Sequence, residues 1–355
     1  MAHEPPDAGT AVAASIGALQ DEVLAAGLAA GLDQMGVASA GLLQPARAVL
    51  PLRKAAGLAA SMQFTYRNPD RSTDPQRVLP DAAAIVAGAR GYQRRLVDSP
   101  PTPVGRVARY AWRDHYRDLR HGLEASAAVL RAAGWEARVH ADDNNLVDRN
   151  VAVNAGLGWY GKNANVLLPG LGSWYVLGGV VTNAPLNVAK APLADGCGSC
   201  RRCIDGCPTD AIVGPGIIDA RRCLAWLVQG PGSIPVEFRD AVGDRLYGCD
   251  DCQDVCPPNR AIEATVEAEA DSDPWIELEF VLTASDAELL DRIGRWYIAD
   301  RDPDVVRRTA LVVLGNIGDP NDDRTVSLLS PYLQHTSAVL REHAEWAAAK
   351  LGLAG

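Results

Sequence analysis

A chain of 355 residues, 48% hydrophobic and 22% charged, is too long for one small core and apolar enough to bury two or three domains of ordinary size. Its formal net charge of -10 argues against broad binding of nucleic acid through a basic surface, because neutralised phosphates supply most of that affinity. The acidity is local: nine carboxylates and no Lys or Arg lie between Glu263 and Glu288, while Arg301, Arg307 and Arg308 follow close together.

The start, MAHEPPDAGT, has no basic cluster and no apolar run, and no 18-residue apolar stretch follows. The expectation is a cytoplasmic protein whose first ten residues are disordered. In that reducing compartment clustered cysteines hold metal more often than they form disulfides.

In chain order, residues 11–36 are Ala/Leu-rich at helical spacing and closed by Gly36. DAAAIVAGARGY, residues 81–92, reads as a buried strand, and residues 108–139 read as a long helix ending at Gly134 and running into a strand. Buried strands broken by turns are expected from Asn165 to Thr182. The fold class is α+β (mixed α/β), with an N-terminal α/β domain over 1–186.

A cysteine-rich module spans 187–260, an acidic linker 261–284, and a helical domain 285–355. The last contains four helical stretches: DAELLDRIGRWYI, DVVRRTALVVLGN, TVSLLSPYL and SAVLREHAEWAAAKL. Val305, Val306, Arg307 and Ala310 match Val339, Leu340, Arg341 and Ala344 at an offset of 34 residues. That period suggests HEAT-like repeats, the alternative being an unrelated helical cap.

CGSCRRCIDGCP places Cys197, Cys200, Cys203 and Cys207 at the spacing of a bacterial ferredoxin run, in which three thiolates bind one cubane and the fourth reaches the other. CDDCQDVCP adds Cys249, Cys252 and Cys256, and Cys223 completes the eight that two 4Fe-4S clusters need. The crossed partition is Cys197, Cys200, Cys203 and Cys256 on one cluster, with Cys207, Cys223, Cys249 and Cys252 on the other. Two structural zinc sites would also take eight thiolates, but the third Cys two residues on and the following Pro are ferredoxin features. Two clusters form a wire, so the electron acceptor must lie elsewhere.

No Gly-x-Gly-x-x-Gly turn or P-loop marks a dinucleotide or nucleoside triphosphate site. The dense polar segment is instead 141–179, where Asp142, Asp143, Asp148 and Arg149 precede a Gly-rich turn carrying Lys162 and Asn163. Taken alone, paired aspartates before a helix are commonly N-caps.

LVDRNVAVNAGLGWYGKN, GSWYVLG, the cysteine runs, RRCLAWLVQ and TALVVLGNIGD occur in the order found in epoxyqueuosine reductases, and from about residue 61 to the end the chain resembles that family. The resemblance implies a cobalamin-binding N-terminal domain, a double-cluster module and helical repeats that hold a tRNA anticodon stem-loop. It also implies an external low-potential electron donor, a monomer, and reduction of the wobble-position epoxide to queuosine. No Asp-x-His-x-x-Gly signature surrounds any of the six histidines, so a cobalamin here would lack a histidine ligand from that motif.

By the same resemblance Asp142 is the proton donor, with Asp143 its neighbour if the register slips by one. Lys162, Asn163 and Ser173 touch cobalamin, Arg67 and Asp250 are further contacts, and Arg307 and Arg308 face RNA. The chain departs from the family at YAWRDHYRD, at Gly179 where Leu-Gly-Glu is usual, and at Thr309 where Asn is usual. These departures keep two alternatives open: a related cobalamin-dependent reductase with another substrate, or a ferredoxin-like electron carrier.

Overall fold

The structure, a computed structural model, describes residues 8–188, 191–263, 265–268 and 272–353. The chain divides into two compact units that are not consecutive in sequence. The first comprises residues up to Gly57, Gln63–Tyr92 and His115–Cys200, and the second Leu58–Met62, Gln93–Asp114 and everything from Arg201.

In the first unit, α1 (Ala8–Ala29) is followed by β1 (Gln34–Ser39). The helix stops at Gly31, whose φ of 99° suits glycine alone, not at the expected Gly36. Gly36 lies in β1, where a Cβ would collide with the Ala155 carbonyl. β2 (Ala84–Gly91) is buried over Ala84–Ala89 without alternation, the pattern of a strand covered on both faces.

α2 (His115–Ala132) leads through Gly134 into β3 (Ala137–Ala141). It begins seven residues later than its periodicity suggests, because Arg109–Ala111 form a 3-10 turn belonging to the second unit. α3 (Asp148–Asn154) and β4 (Tyr175–Thr182) complete the layer structure.

The sheet order is β1-β2-β4-β3, all antiparallel. Leu32 and Leu123 of α2 press on one face, where a side chain at Gly88 would strike both. On the other face Val151, Ala152 and Val153 join Ile85, Ala87, Leu177 and Val181 in one core. Each valine, leucine or isoleucine side chain fully buried this way contributes about 1.5–3 kcal/mol.

In the second unit the strand Val104–Val107 lies between Arg245–Tyr247, parallel, and Trp275–Glu277, antiparallel. The second half of the expected linker is thus strand and helix, with Ile276, Leu278, Val281 and Leu282 buried. Its residues 264 and 269–271 lie outside the described residues. The alternation of apolar and acidic residues there is a half-buried surface, not a solvated tether.

The four helical stretches form as expected, at Asp286–Ile293, α4 (Asp304–Ile317), α5 (Asp323–Leu333) and α6 (Ala338–Leu351). Ser285 and Glu288 close a reciprocal capping box on the first of them. α4 and α6 pack closely, since a Cβ at Gly315 would stand 2.9 Å from Ala347 Cα. The matched positions Ala310 and Ala344 are both fully buried. Among the described residues no helix is long and apolar enough to cross a membrane.

Arg307 and Arg308 differ from the expectation that they face RNA. Arg308 is 1% exposed and its guanidinium donates to the carbonyls of Leu227 (2.6 Å), Gly230 (2.7 Å) and Gly232. Burial, with Arg239 nearby, lowers its pKa to about 10. Arg307 is turned to Asp286 (2.6 Å) and the Ala284 carbonyl (2.9 Å). α4 is buried on most sides, so charge on it is drawn inward to backbone carbonyls.

Arg308→Met strands those carbonyls and is expected to lower unfolding stability by about 3 kcal/mol. Denaturant titration without RNA measures this; unchanged stability would contradict the buried role.

Candidate active site and cluster ligands

β3 delivers the chain to Asp142, whose φ of 49° is a left-handed conformation that aspartate tolerates. The loop that follows is tied down at several points. Arg120 of α2 donates to the Ala141 carbonyl, Asn145 N–H to Asp143 Oδ1 (2.8 Å), Arg71 to Asn145 Oδ1 (2.8 Å), and Val147 N–H to the Ser72 carbonyl (3.1 Å). Asp143 therefore closes a turn, and Asp142 keeps a carboxyl exposed on one side.

Protein packed around that carboxyl raises its pKa; the Asp148 charge adds to this, Arg120 opposes it, and Asp143 adds a smaller push. Tyr116, in the first turn of α2, is half-buried. Burial, then Asp142 and Asp148, pushes its hydroxyl well above the ordinary tyrosine value, so it holds its proton.

His140 is fully buried on β3, and its Nδ1 lies 2.9 Å from Asp148 Oδ1. One corner of the first unit thus gathers two carboxyls, a phenol, an imidazole and a guanidinium. Such mixed surroundings separate the proton affinities of neighbouring groups.

Lys162 Nζ donates to the carbonyls of Gly198 (2.6 Å) and Cys200 (2.8 Å), fixing the first two cysteines to the Gly-rich turn. Asn163 is 5% exposed and accepts from Asn165 N–H (3.2 Å). Arg149 of α3 reaches the Ala164 carbonyl (3.2 Å), drawing this turn toward the start of α3.

Ser173 is buried just before Trp174, whose ring meets Tyr92 edge-on at 5.8 Å. Arg67 is the exposed last residue of a single half-buried turn, Phe64–Arg67. Asp250 belongs to the second unit, where it is buried and accepts the Arg109 N–H (2.7 Å) with the Arg109 guanidinium 3.6 Å away. Burial first, then Asp254, raises its pKa to about 6 against the pull of Arg109.

None of the eight cysteines is in a disulfide. In the second unit Cys223 stands at the start of Leu224–Leu227, and Cys249 and Cys252 flank and enter Asp251–Asp254. Burial raises the thiol pKa of Cys252, and Cys249, Cys223, Asp250 and Cys203 raise it further. Burial and Asp251 do the same to Cys249, with Cys223 adding. Thiolates crowded this way repel one another unless cationic iron lies among them, so an all-sulfur donor set suits iron–sulfur clusters.

Residues 196–259 match the sequence profile of the 4Fe-4S double cluster binding domain. The chain is a two-cluster iron–sulfur protein, and the profile covers seven of the eight cysteines in its two runs together with Cys223 between them.

Epoxyqueuosine reductase of Bacillus cereus is 32% identical over 346 residues, covering 94% of this chain and 89% of the relative. That of Bacillus subtilis is 32% identical over 344 residues, covering 94% and 88%. The crystal structure of epoxyqueuosine reductase with an epoxyqueuosine-modified tRNA-Tyr stem loop superposes with a TM-score of 0.86 at 30% identity, covering 94% of this chain and 90% of that one. A Bacillus subtilis structure with an aspartate-bearing catalytic loop swung out of the active site gives 0.83 at 31% identity, with the same coverage. The chain belongs to the epoxyqueuosine reductase family.

His140 and Arg120 were not singled out by the sequence. A histidine on an alternating strand and an arginine on a helix face carry no local signal; only the pairing of His140 with Gly179 and the approach of α2 place them. Lys162→Met is expected to leave the fold intact but loosen the Cys197–Cys200 segment. Iron release to a chelator should then run several-fold faster than in the wild-type protein, and an equal rate would count against the tether.

Proposed function

We propose that the chain reduces the epoxide of epoxyqueuosine at the tRNA wobble position to queuosine, with Asp142 as proton donor. The observation that carries this reading is the exposed carboxyl of Asp142, its pKa raised by the protein packed around it, on a tethered loop, in a chain that superposes over 94% of its length on a relative holding a modified stem loop. The swung-out aspartate loop of the Bacillus subtilis protein supports a corresponding movement of the Asp142 loop.

Removing an epoxide oxygen as water consumes electrons and protons together. Asp142 supplies a proton to the departing oxygen, beside Tyr116, which keeps its own proton. Cobalamin, when bound, supplies the low-valent centre for electron delivery. Asn163 and Ser173, both buried polar donors, with Lys162 suit its amide and phosphate groups; Arg67 and Asp250 are outer candidates.

An external low-potential donor feeds the clusters, with Cys197, Cys200, Cys203 and Cys256 on one and Cys207, Cys223, Cys249 and Cys252 on the other. Cys223 and Cys249 both act on the Cys252 thiol, as does Cys203 of the first set, so three of the second set's four ligands share one neighbourhood. The C-terminal helices act as HEAT-like repeats beside the stem-loop, and the enzyme works as a cytoplasmic monomer.

The test is anaerobic turnover of an epoxyqueuosine-containing anticodon stem-loop by protein reconstituted with iron, sulfide and cobalamin. Queuosine is the expected product, and cobalamin binding without conversion would redirect the chemistry to another substrate. Asp142→Asn should slow turnover about 10²–10⁴-fold with cluster absorbance unchanged. Cys223→Ser should lower iron from about eight to about four atoms per chain, and retention of full iron would overturn the partition.

A further inference from the structure

The acidity of the chain is not shared evenly. The second unit carries 29 Asp and Glu against 20 Lys and Arg, whereas the first carries 15 against 14. Over one stretch the balance reverses: from Arg47 to Arg77 there are six cationic side chains and only two acidic ones, Asp70 and Asp74. All eight belong to the first unit.

This stretch is folded against the loop that carries Asp142. The helix Gln44–Ala55 is held there by its Ala46 N–H, which donates to Asn150 Oδ1 (3.3 Å). Near the end of that helix Lys54 Nζ donates to the Tyr66 carbonyl (2.9 Å) and lines a surface depression with Pro51, Ala55, Pro69 and Asp70. The short helix Pro69–Ser72 then presents Arg71, whose guanidinium donates to Asn145 Oδ1 (2.8 Å) within the Asp142 loop. Arg149, the second residue of α3, lies just past the same loop and donates to the Ala164 carbonyl (3.2 Å).

Lys54, Arg67, Arg71 and Arg149 are all exposed. Three of them bond to neutral carbonyl or amide oxygens, and none of the four forms an ion pair among the described residues. The exposed Arg292 and Arg324 of the second unit are each matched by a carboxylate instead, Asp273 (3.1 Å) and Glu279. Four uncompensated cations around one loop repel one another. They suit a polyanion, because each phosphate neutralised releases counterions.

We propose that this cationic face of the first unit, Lys54, Arg71 and Arg149 with Arg67 among them, binds the phosphates of the RNA. Phosphate contacts set register and orientation without reading sequence. The bond from Arg71 to Asn145 joins the face to the Asp142 loop, so backbone held here brings a loop nucleotide to the Asp142 carboxyl. That border with the proton-donor loop favours RNA over an acidic redox protein as the occupant.

The inference rests on a stem-loop substrate, and the test separates the two. Holoenzyme reconstituted with iron, sulfide and cobalamin is titrated with an unmodified anticodon stem-loop RNA, so that binding is read without turnover. Fluorescence anisotropy gives Kd from about 50 to 200 mM KCl. Each phosphate contact contributes about 0.7–0.9 to the slope of log Kd against log salt.

Lys54→Gln combined with Arg149→Gln should therefore lower the slope by about 1.4–1.8 and weaken binding at low salt on the order of tenfold. KM for the epoxyqueuosine stem-loop should rise by the same factor. The loss should be equal for a stem-loop of unrelated sequence, and Arg324→Ala on α5 should leave the slope unchanged.

A wild-type slope in the double variant overturns the proposal, as does an equal loss in Arg324→Ala. So does turnover that falls in the double variant only with a small acidic iron–sulfur or flavin carrier as donor and returns with dithionite, since the face then belongs to the carrier. A wild-type protein that binds the stem-loop through these residues yet leaves epoxyqueuosine unreduced keeps the face and removes the assigned reaction.

Discussion

The first unit depends on the close approach allowed at the middle of the strand Tyr175–Thr182. This strand is paired on both edges and covered on both faces, and at its centre stand Gly178 and Gly179. A side chain at Gly178 would lie 2.7 Å from the His140 carbonyl and 3.0 Å from Leu123, blocking α2. One at Gly179 would displace the His140 ring. Because successive residues face opposite sides of a sheet, the two glycines release space on both faces at one level. That level is where β3 ends and the Asp142 loop begins.

The second unit shows how an acidic protein uses its arginines. Arg109, Arg239 and Arg308 are all nearly inaccessible and act as struts between segments. Arg239 donates to the Ile234 carbonyl (2.8 Å) and pairs with Glu342, while the Ile234 N–H donates to His343 Nε2 (3.1 Å). Arg308 grips the same stretch through three carbonyls. A planar guanidinium can satisfy several divergent acceptors at once, which is why the Leu227–Ile234 segment needs no regular structure of its own.

The chemistry of the cysteines was legible because ligand spacing is a local property, and the match of residues 196–259 to a double-cluster domain agrees with it. The C-terminal helices and β2 were legible because periodicity and continuous burial are written along the chain. What sequence did not show is what depends on partners far away. Gly36 looked like a helix stop but serves a strand, Arg308 looked like a surface charge, and His140 had no distinguishing neighbour. The Asp142 position was legible through resemblance; the imidazole behind it required the register of β3 against β4.

The interleaving of the two units has a consequence for synthesis. The strand Val104–Val107 takes its hydrogen bonds from Arg245–Tyr247 and Trp275–Glu277, both made much later. At ribosomal rates of about 5–20 residues per second, it waits on the order of ten to thirty seconds with both edges open, inside a stretch bounded by segments of the other unit. During that interval the nascent chain exposes a short apolar strand to any passing edge. A fragment cut at the boundary before the cysteines would leave the C-terminal half permanently without its middle strand.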